Sequence, residues 1–181
     1  ISFPVTESHP ICPLSPYGLS KYIGEQYVEL YNRLHGLDYT ILRYPNVYGP
    51  RQDPKGEAGV VAIFTQLLRM QEQPTIFGDG TKTRDYLFVK DIVRANLFVT
   101  GDAGGCEIFN LGWGKEITDQ QIFEAVRDAL AAKVEPIYSE RRAGEIERIC
   151  LDASKAEREL SWCPEVLFLE GVKQTVESGN G

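Results

Sequence analysis

The chain has 181 residues, of which 43% are hydrophobic and 25% are charged. This apolar share is too high for a disordered polymer, and the length suits one globular domain with a sizeable core. The 26 acidic and 19 basic side chains give a formal net charge of -7, which argues against a general nucleic-acid binder because such proteins normally carry a basic stripe. No stretch approaches the roughly eighteen consecutive apolar residues of a membrane-spanning helix, so we expect no membrane partner.

The cysteines and the first residues limit the protein further. The four cysteines lack the paired spacing of a metal site, and we expect reduced thiols in a cytoplasmic protein without bound metal. The chain begins with Ile1 rather than methionine and continues into a proline-rich loop over residues 1–15. We therefore expect that the front of a larger protein is missing.

The first predicted helix has clear signals at both ends. Ser15 is typical of an N-cap and Pro16 of the first helical position, and the helix runs to residue 34 or 35 before it ends at Gly36. Its apolar side chains spread over more than one face and are Leu19, Tyr22, Ile23, Tyr27, Val28, Leu30, Tyr31 and Leu34. We expect such a helix to be buried on more than one side, and we expect helix pairing in a homodimer.

The later elements alternate between strands and helices. The predicted strands and extended segments are residues 39–44, 75–77, 86–89, 107–111, 134–138 and 148–151. The predicted helices are residues 60–70, 91–100, 118–132, 152–160 and 169–176. Thr118 and Gln121 have the spacing of a capping box at the start of one of them. The alternation predicts an α/β fold, although the sheet is too short to have both faces covered on its own.

Tyr17 and Lys21 form the first candidate catalytic pair. Four residues apart on a helix, they lie on the same face one turn apart. An ammonium near a phenol favours the phenolate, so Tyr17 could act as a general acid/base near neutral pH. The alternative is that they are ordinary surface neighbours, and the surrounding motifs decide between the two interpretations.

Several further motifs follow in an order that matches a known family. The segments are YGLSK at 17–21, PNVYGPR at 45–51, GDG at 78–80 with TRD at 83–85, VKD at 89–91, RAGEI at 142–146, LDASKA at 151–156 and LSW at 160–162. In these segments the chain resembles the extended short-chain dehydrogenase/reductase family. Within that family it is most similar to the NAD-dependent nucleotide-sugar epimerases and dehydratases, above all to the UDP-glucose 4-epimerases.

The resemblance implies a two-lobed architecture. It predicts an α/β fold made of the C-terminal part of an NAD-binding Rossmann-fold sheet and a smaller mixed α/β substrate-binding domain. Residues 1–59 would be the tail of the Rossmann domain and would carry the helix with Tyr17 and Lys21. Residues 60–181 would form mainly the substrate-binding domain, with residues 86–112 returning to the Rossmann domain.

The resemblance also implies the catalytic and cofactor-binding residues. Tyr17 would be the base that removes the proton of the sugar 4-hydroxyl, with NAD as the redox cofactor. Lys21 would bind the nicotinamide ribose and lower the pKa of Tyr17. Tyr44 and Pro45 end a strand, where open α/β sheets place their ligands, and their backbone would meet the nicotinamide.

The implied substrate is a UDP-sugar, and its diphosphate would meet three residues. Asn46 would bond the sugar diphosphate, while Arg84 and Arg142 would clamp it. A planar guanidinium suits this role because it directs two charge-assisted hydrogen bonds onto phosphate oxygens. The alternative is that each arginine is a solvated surface charge.

The uridine would meet four further residues. Phe77 could stack on the uracil, and its alternative is a plain strand residue of the core. Glu145 would accept hydrogen bonds from the ribose hydroxyls. Val60 and Val61 would offer backbone groups to the base.

The implied activity is 4-epimerisation of a UDP-sugar, either UDP-glucose and UDP-galactose or their N-acetyl forms. The alternatives are another reaction on the same scaffold (4,6-dehydration, decarboxylation or reduction) or a non-catalytic nucleotide-sugar binding protein. The space near Ile149 could determine whether an N-acetyl group fits. Because no glycine-rich dinucleotide fingerprint occurs in the sequence, we expect the 181-residue chain alone neither to bind NAD tightly nor to turn over substrate.

Overall fold

The fold is α/β, as the sequence predicts. The computed structural model describes residues 2–55, 59–101, 105–142 and 144–179. The helices within these ranges are α1 (Pro16–His35), α2 (Val60–Arg69), α3 (Val89–Val99), α4 (Asp119–Leu130), α5 (Ser154–Leu160) and α6 (Phe168–Glu177). The strands are β1 (Thr40–Arg43), β2 (Asn46–Tyr48), β3 (Thr75–Phe77), β4 (Thr83–Arg84), β5 (Tyr86–Phe88), β6 (Glu107–Asn110), β7 (Ile117–Thr118) and β8 (Ile137–Ser139).

The strands form short pairs, three of them parallel. β1 pairs with β6, β2 with β5 and β3 with β8, whereas β4 and β7 pair in antiparallel orientation. In the parallel pairs Thr40 lies opposite Glu107 and Asn46 opposite Tyr86. Parallel partners need a crossover connection, usually through a helix, and the chain supplies helices between each of these pairs. This arrangement brings residues that are distant in the sequence to neighbouring strand ends.

Local signals determine the ends of two helices. At the start of α1 the Ser15 hydroxyl accepts from the Gly18 N–H at 3.1 Å, and Gly36 ends the helix with φ of 66°. This left-handed conformation is accessible to glycine without steric cost. At the start of α4, Thr118 and Gln121 form the predicted capping box with both hydrogen bonds present. The predicted ends of α1 and the predicted start of α4 are confirmed. These signals depend only on residues that are close together in the sequence.

The predicted burial of α1 on more than one side is wrong for this chain. No described residue of the helix is buried. Its exposed apolar side chains are Tyr17, Leu19, Ile23, Tyr27, Leu30, Tyr31 and Leu34. On one side the helix contacts β1 through the ion pair between Glu25 and Arg43, at 2.7 Å. The remaining apolar surface has no cover among the described residues, and the homodimer stays a prediction.

The buried side chains form two clusters that share strand β5. The first contains residues of α2, α4 and α6 together with Tyr86 and Phe88. The second contains Leu87 with residues of α3, β6 and α5, and with the fully buried Trp162. Successive residues of a strand point to opposite faces, so β5 forms a wall between the two clusters. The helices of the first cluster are α2, α4 and α6, which lie between residues 60 and 177. The second cluster combines side chains from residues 87–111 with side chains from residues 153–162.

Candidate functional site

Tyr17 and Lys21 lie in the first two turns of α1, where the cap at Ser15 begins the helix. The Lys21 Nζ lies 5.1 Å from the centroid of the Tyr17 ring, within the range of a cation–π contact. The Tyr17 side chain is 59% exposed, so its hydroxyl can be reached from outside. Within the described residues Lys21 forms no ion pair. Its ammonium is therefore available both to Tyr17 and to a ligand.

A cavity of about 670 Å³ lies beside this helix and is lined by Lys21 and Ile149. Arg43 also lines it, but Glu25 engages the guanidinium through two hydrogen bonds of 2.8 and 2.7 Å. This pairing raises the pKa of Arg43 and neutralises its charge. Arg148 at the same cavity is paired with Glu116. Lys21 is consequently the cation of this cavity that no carboxylate neutralises among the described residues.

Tyr44, Pro45 and Asn46 form the junction between β1 and β2. The Tyr44 hydroxyl accepts a hydrogen bond from the Asn96 side chain at 2.9 Å, so the phenol is directed toward α3. The Asn46 N–H donates to the Asp85 carbonyl at 3.0 Å. The Asn46 side chain is exposed and lies near Tyr86, whose pKa it lowers slightly against the effect of burial. The junction thus offers backbone groups and one amide side chain.

Phe77 and Arg142 are brought together although 65 residues separate them in the sequence. The guanidinium carbon of Arg142 lies 3.6 Å from the centroid of the Phe77 ring. Phe77 is half-buried at the end of β3, and its neighbour Ile76 carries the core packing. The exposed Arg142 thus packs on the ring of a partly buried strand residue. Ala143 of the RAGEI motif lies outside the described residues.

Arg84 lies on β4 near the Asn46 and Tyr86 pair. One guanidinium nitrogen donates to the Thr83 carbonyl at 2.8 Å. Burial raises the pKa of Tyr86, and the positive charge of Arg84 opposes that rise. Arg84 forms no salt bridge within the described residues, so its charge is available to an anionic ligand.

Val60 and Val61 begin helix α2 behind Gly59, which has no side chain to cap the helix. Val61 is fully buried, whereas Val60 is half-buried. The first N–H groups of a helix have no partner inside the helix. The polar chemistry available at these two residues is therefore that of their backbone.

The structure places Glu145 in a cluster that the sequence does not predict. Its carboxylate contacts the ammonium of Lys82, and the same ammonium lies 3.5 Å from Asp119 Oδ2. Burial raises the pKa of Asp119 and the charges of Lys82 and Arg84 oppose the rise. No local signal indicates Lys82, because it lies in the loop before β4 and its partners Asp119 and Glu145 are distant in the sequence.

Asp85 is a second functional candidate that sequence reasoning missed. Its buried carboxylate accepts hydrogen bonds from the backbone N–H groups of Trp113, Gly114 and Leu151. Burial raises the pKa of Asp85 to about 6, and these hydrogen bonds oppose that rise. Asp85, which follows Arg84 in the sequence, thus joins the loop of Trp113 and Gly114 to the segment of Leu151.

The family follows from a comparison with known proteins. Residues 2–112 match the NAD dependent epimerase/dehydratase family. The chain belongs to this family. A relative from Methanocaldococcus jannaschii, named a putative UDP-glucose 4-epimerase, is 51% identical over 173 residues, which are 96% of this chain and 56% of the relative. A dTDP-glucose 4,6-dehydratase from an Actinoplanes species is 35% identical over 94% of this chain and 52% of its own length.

Solved structures of epimerases have the same fold as the chain. The Thermotoga maritima UDP-glucose 4-epimerase, solved with UDP-glucose, superposes with a TM-score of 0.94 at 48% identity and covers 99% of this chain and 58% of that protein. The Thermus thermophilus UDP-glucose 4-epimerase, solved with NAD, gives a TM-score of 0.92 at 37% identity over 98% of this chain and 58% of that protein. The chain spans a little over half the length of these epimerase/dehydratase relatives.

The described residues contain neither a metal-ligating cluster nor a membrane-spanning helix. No group of three or more histidine, cysteine, aspartate and glutamate side chains in the described part of the chain could hold a metal ion. In the same residues, none of the helices combines the length and apolar character needed to cross a membrane.

Proposed function

We propose that the chain is the substrate-binding and proton-transferring part of an NAD-dependent nucleotide-sugar 4-epimerase that acts on a UDP-sugar. The candidate substrates are UDP-glucose and UDP-galactose, or their N-acetyl forms. One observation carries the proposal: the Lys21 ammonium lies 5.1 Å from the centroid of the Tyr17 ring, lines the cavity and forms no ion pair with any carboxylate of the described residues. The names of the similar epimerases support the choice of UDP-sugars.

In this proposal Tyr17 exchanges the proton of the sugar 4-hydroxyl. The ammonium of Lys21, which lies 5.1 Å from the centroid of the Tyr17 ring, supports the charge that develops on the phenol during proton transfer. Tyr17 then accepts the proton as the 4-hydroxyl is oxidised and returns it when the hydroxyl is restored. Bound NAD supplies the acceptor and donor of the hydride at the sugar C4.

The residues predicted to hold NAD fit the group chemically. Lys21 can donate to ribose hydroxyls because no carboxylate among the described residues occupies its ammonium. The Tyr44 phenol is engaged with Asn96, so the backbone of the junction is the part that meets the nicotinamide. Pro45 has no N–H and can contribute only its carbonyl as an acceptor.

The nucleotide would bind along the residues that the motifs predict. Arg84 and Arg142 would meet the diphosphate with Asn46 beside them, while Val60 and Val61 would offer backbone groups to the base. The Arg142 guanidinium covers the Phe77 ring. Stacking of uracil on Phe77 therefore requires that Arg142 turns away from the ring and toward the phosphates.

The sugar would occupy the cavity that Lys21 and Ile149 share. Ile149 is a mid-sized apolar side chain, and its volume would limit the substituent at C2 of the sugar. We also propose the division into a Rossmann part and a substrate part. The two apolar clusters on either side of β5 support that division.

The test uses a full-length protein that carries this chain, assayed with UDP-glucose and NAD. Tyr17→Phe removes the acid/base hydroxyl and keeps the ring under Lys21, so turnover should fall by roughly a hundredfold or more while UDP binding is kept. Tyr27→Phe is the matched control, since Tyr27 is equally exposed on the same helix. Unchanged turnover in Tyr17→Phe would refute the catalytic assignment.

A second candidate reaction is 4,6-dehydration of a nucleotide sugar, favoured by the 35% identical dehydratase relative. The same assay separates the two reactions by their products. An epimerase equilibrates UDP-glucose with UDP-galactose, whereas a dehydratase releases a 4-keto-6-deoxy sugar. Chromatography of the reaction products therefore decides between the two reactions. UDP-sugar binding without any product would favour a non-catalytic binding protein.

A further inference from the structure

Lys82 is an unusually buried lysine near the proposed nucleotide site. It lies in the loop between Gly80 and β4 and is 8% exposed. Lysine side chains are almost never buried without an acidic partner. Here the ammonium contacts Glu145 Oε2 and lies 3.5 Å from Asp119 Oδ2. The backbone is held as well, because the Asp119 N–H donates to the Lys82 carbonyl at 3.2 Å.

We call Lys82, Asp119 and Glu145 the Lys82 cluster. Its two carboxylates lie around one ammonium, and the charge of Glu145 adds to the effect of burial in raising the pKa of Asp119. Asp119 is tied to Lys82 through both backbone and side chain, whereas Glu145 belongs to a segment outside helices and strands and is the more exposed acid. Without the ammonium, Glu145 is therefore the carboxylate that can turn away into solvent.

Glu145 keeps one oxygen for a ligand. Oε2 takes the ammonium of Lys82, and no donor among the described residues reaches Oε1. An ionised carboxylate can only accept hydrogen bonds. Oε1 is thus a free acceptor among the described residues, on a carboxylate that the contact at Oε2 holds in place. Hydroxyl groups are donors that such an acceptor binds strongly.

We propose that Lys82, supported by Asp119, is a positioning residue that holds Glu145 against the 2′-hydroxyl of a ribose and so selects UDP over 2′-deoxynucleoside diphosphates. This inference rests on the proposed function and on the contact with the ribose hydroxyls that the resemblance implies for Glu145. It adds a residue pair that orients the carboxylate, and it gives that pair a consequence for substrate choice. A 2′-deoxyribose leaves Oε1 without its hydroxyl donor.

The test measures a ratio of two affinities in the chain itself. UDP and 2′-deoxy-UDP are titrated calorimetrically into the wild type and the variants Lys82→Met, Lys82→Arg and Glu145→Ala. Lys173→Met is the matched control because Lys173 is an exposed lysine on α6. Circular dichroism melting checks that each variant is folded. A general attraction between Lys82 and the diphosphate would change both affinities equally and leave the ratio unchanged.

In the wild type we expect UDP to bind roughly tenfold or more tightly than 2′-deoxy-UDP, the effect of one hydrogen bond to a charged group. Lys82→Met and Glu145→Ala should bring the ratio close to one, mainly by weakening UDP. Lys82→Arg should restore part of the preference, and Lys173→Met should keep all of it.

Three results would overturn the inference. A wild-type ratio near one, with UDP bound, refutes ribose selection and leaves the proposed function standing. A Lys82→Met variant that keeps the full ratio refutes the positioning role. If the folded chain binds neither nucleotide, the proposed function itself fails, and the selection of ribose fails with it.

Discussion

Replacing Asp85 by asparagine should change how the stability of the protein depends on pH. Asp85 is 2% exposed. Its Oδ1 accepts from Trp113 N–H at 3.1 Å, and its Oδ2 accepts from Gly114 N–H at 3.0 Å and from Leu151 N–H at 3.2 Å. Burial raises the pKa from 3.8 to about 6 despite these donors. The folded protein therefore keeps a carboxylate in an environment that favours its protonated form.

The magnitude follows from this pKa. A rise of about 2.2 units corresponds to about 3 kcal/mol at about 1.36 kcal/mol per unit. Because the folded pKa lies above the unfolded one, this contribution to the free energy of unfolding is fully present below pH 3.8 and is lost as the pH rises through about 6. The asparagine side chain does not titrate. The wild type should thus lose about 3 kcal/mol relative to Asp85→Asn between pH 3.8 and 7.

A second effect of the substitution is independent of pH. The asparagine oxygen can replace Oδ2 and accept from Gly114 and Leu151. Its NH₂ group then faces the Trp113 N–H, and one unpaired buried donor costs about 1–3 kcal/mol. This loss shifts the variant by the same amount at every pH. The pH-dependent part therefore reports on the Asp85 charge alone.

The assay is urea unfolding of both proteins across the pH range, followed by tryptophan fluorescence and extrapolated linearly to water. Carboxylates with lowered pKa, such as Asp79, titrate in both proteins and cancel in the difference. Asp152→Asn is the control, because the Ser154 N–H lowers the pKa of Asp152. The contribution of Asp152 to the free energy of unfolding is present above its unfolded pKa and is lost as the pH falls. A difference between wild type and Asp85→Asn that stays constant with pH would refute the reasoning.

Three further predictions address packing, assembly and cofactor. Trp162→Ala should lower the free energy of unfolding by about 3–5 kcal/mol, because Trp162 is fully buried and donates to the Asp91 carbonyl. Urea unfolding measures this loss, and a loss below about 1 kcal/mol would contradict the prediction. The chain should sediment as a dimer in analytical ultracentrifugation. Leu34→Glu places a charge on the exposed surface of α1 and should shift the chain to a monomer. A monomeric wild type would exclude helix pairing. The purified chain should carry no stoichiometric NAD, measured by absorbance after denaturation, and finding it would contradict this expectation.

The sequence predicted those parts of the fold that depend on neighbouring residues. The ends of α1 follow from Ser15, Pro16 and Gly36, and the start of α4 follows from its capping box. The short strands β2, β4 and β7 were missed, because two or three residues carry too little periodicity and become strands only through a distant partner. The exposure of α1 shows a different limit: an apolar helix surface indicates that something covers it, but not which molecule does.

The sequence motifs predicted which residues belong to the candidate site, but they did not predict which of these residues contact one another. The motifs selected Glu145, Phe77 and Arg142, whereas the stacking of Arg142 on Phe77 joins residues from separate motifs. Lys82 escaped prediction because its partner Glu145 is 63 residues away in the chain. Its ion pair depends on the fold, and a lone lysine before a strand is typical of solvent exposure.

The wall that β5 forms between the two apolar clusters has a consequence for insertions and deletions. A shift of one residue along a strand turns every side chain to the opposite face. One added residue directly before Tyr86 would direct Leu87 into the first cluster and aromatic rings into the second. The same shift would move Arg84 and Asp85 relative to the loops they contact. The length of the segment from Gly80 to Phe88 is therefore constrained by two cores at once, and variation in length should be confined to other loops.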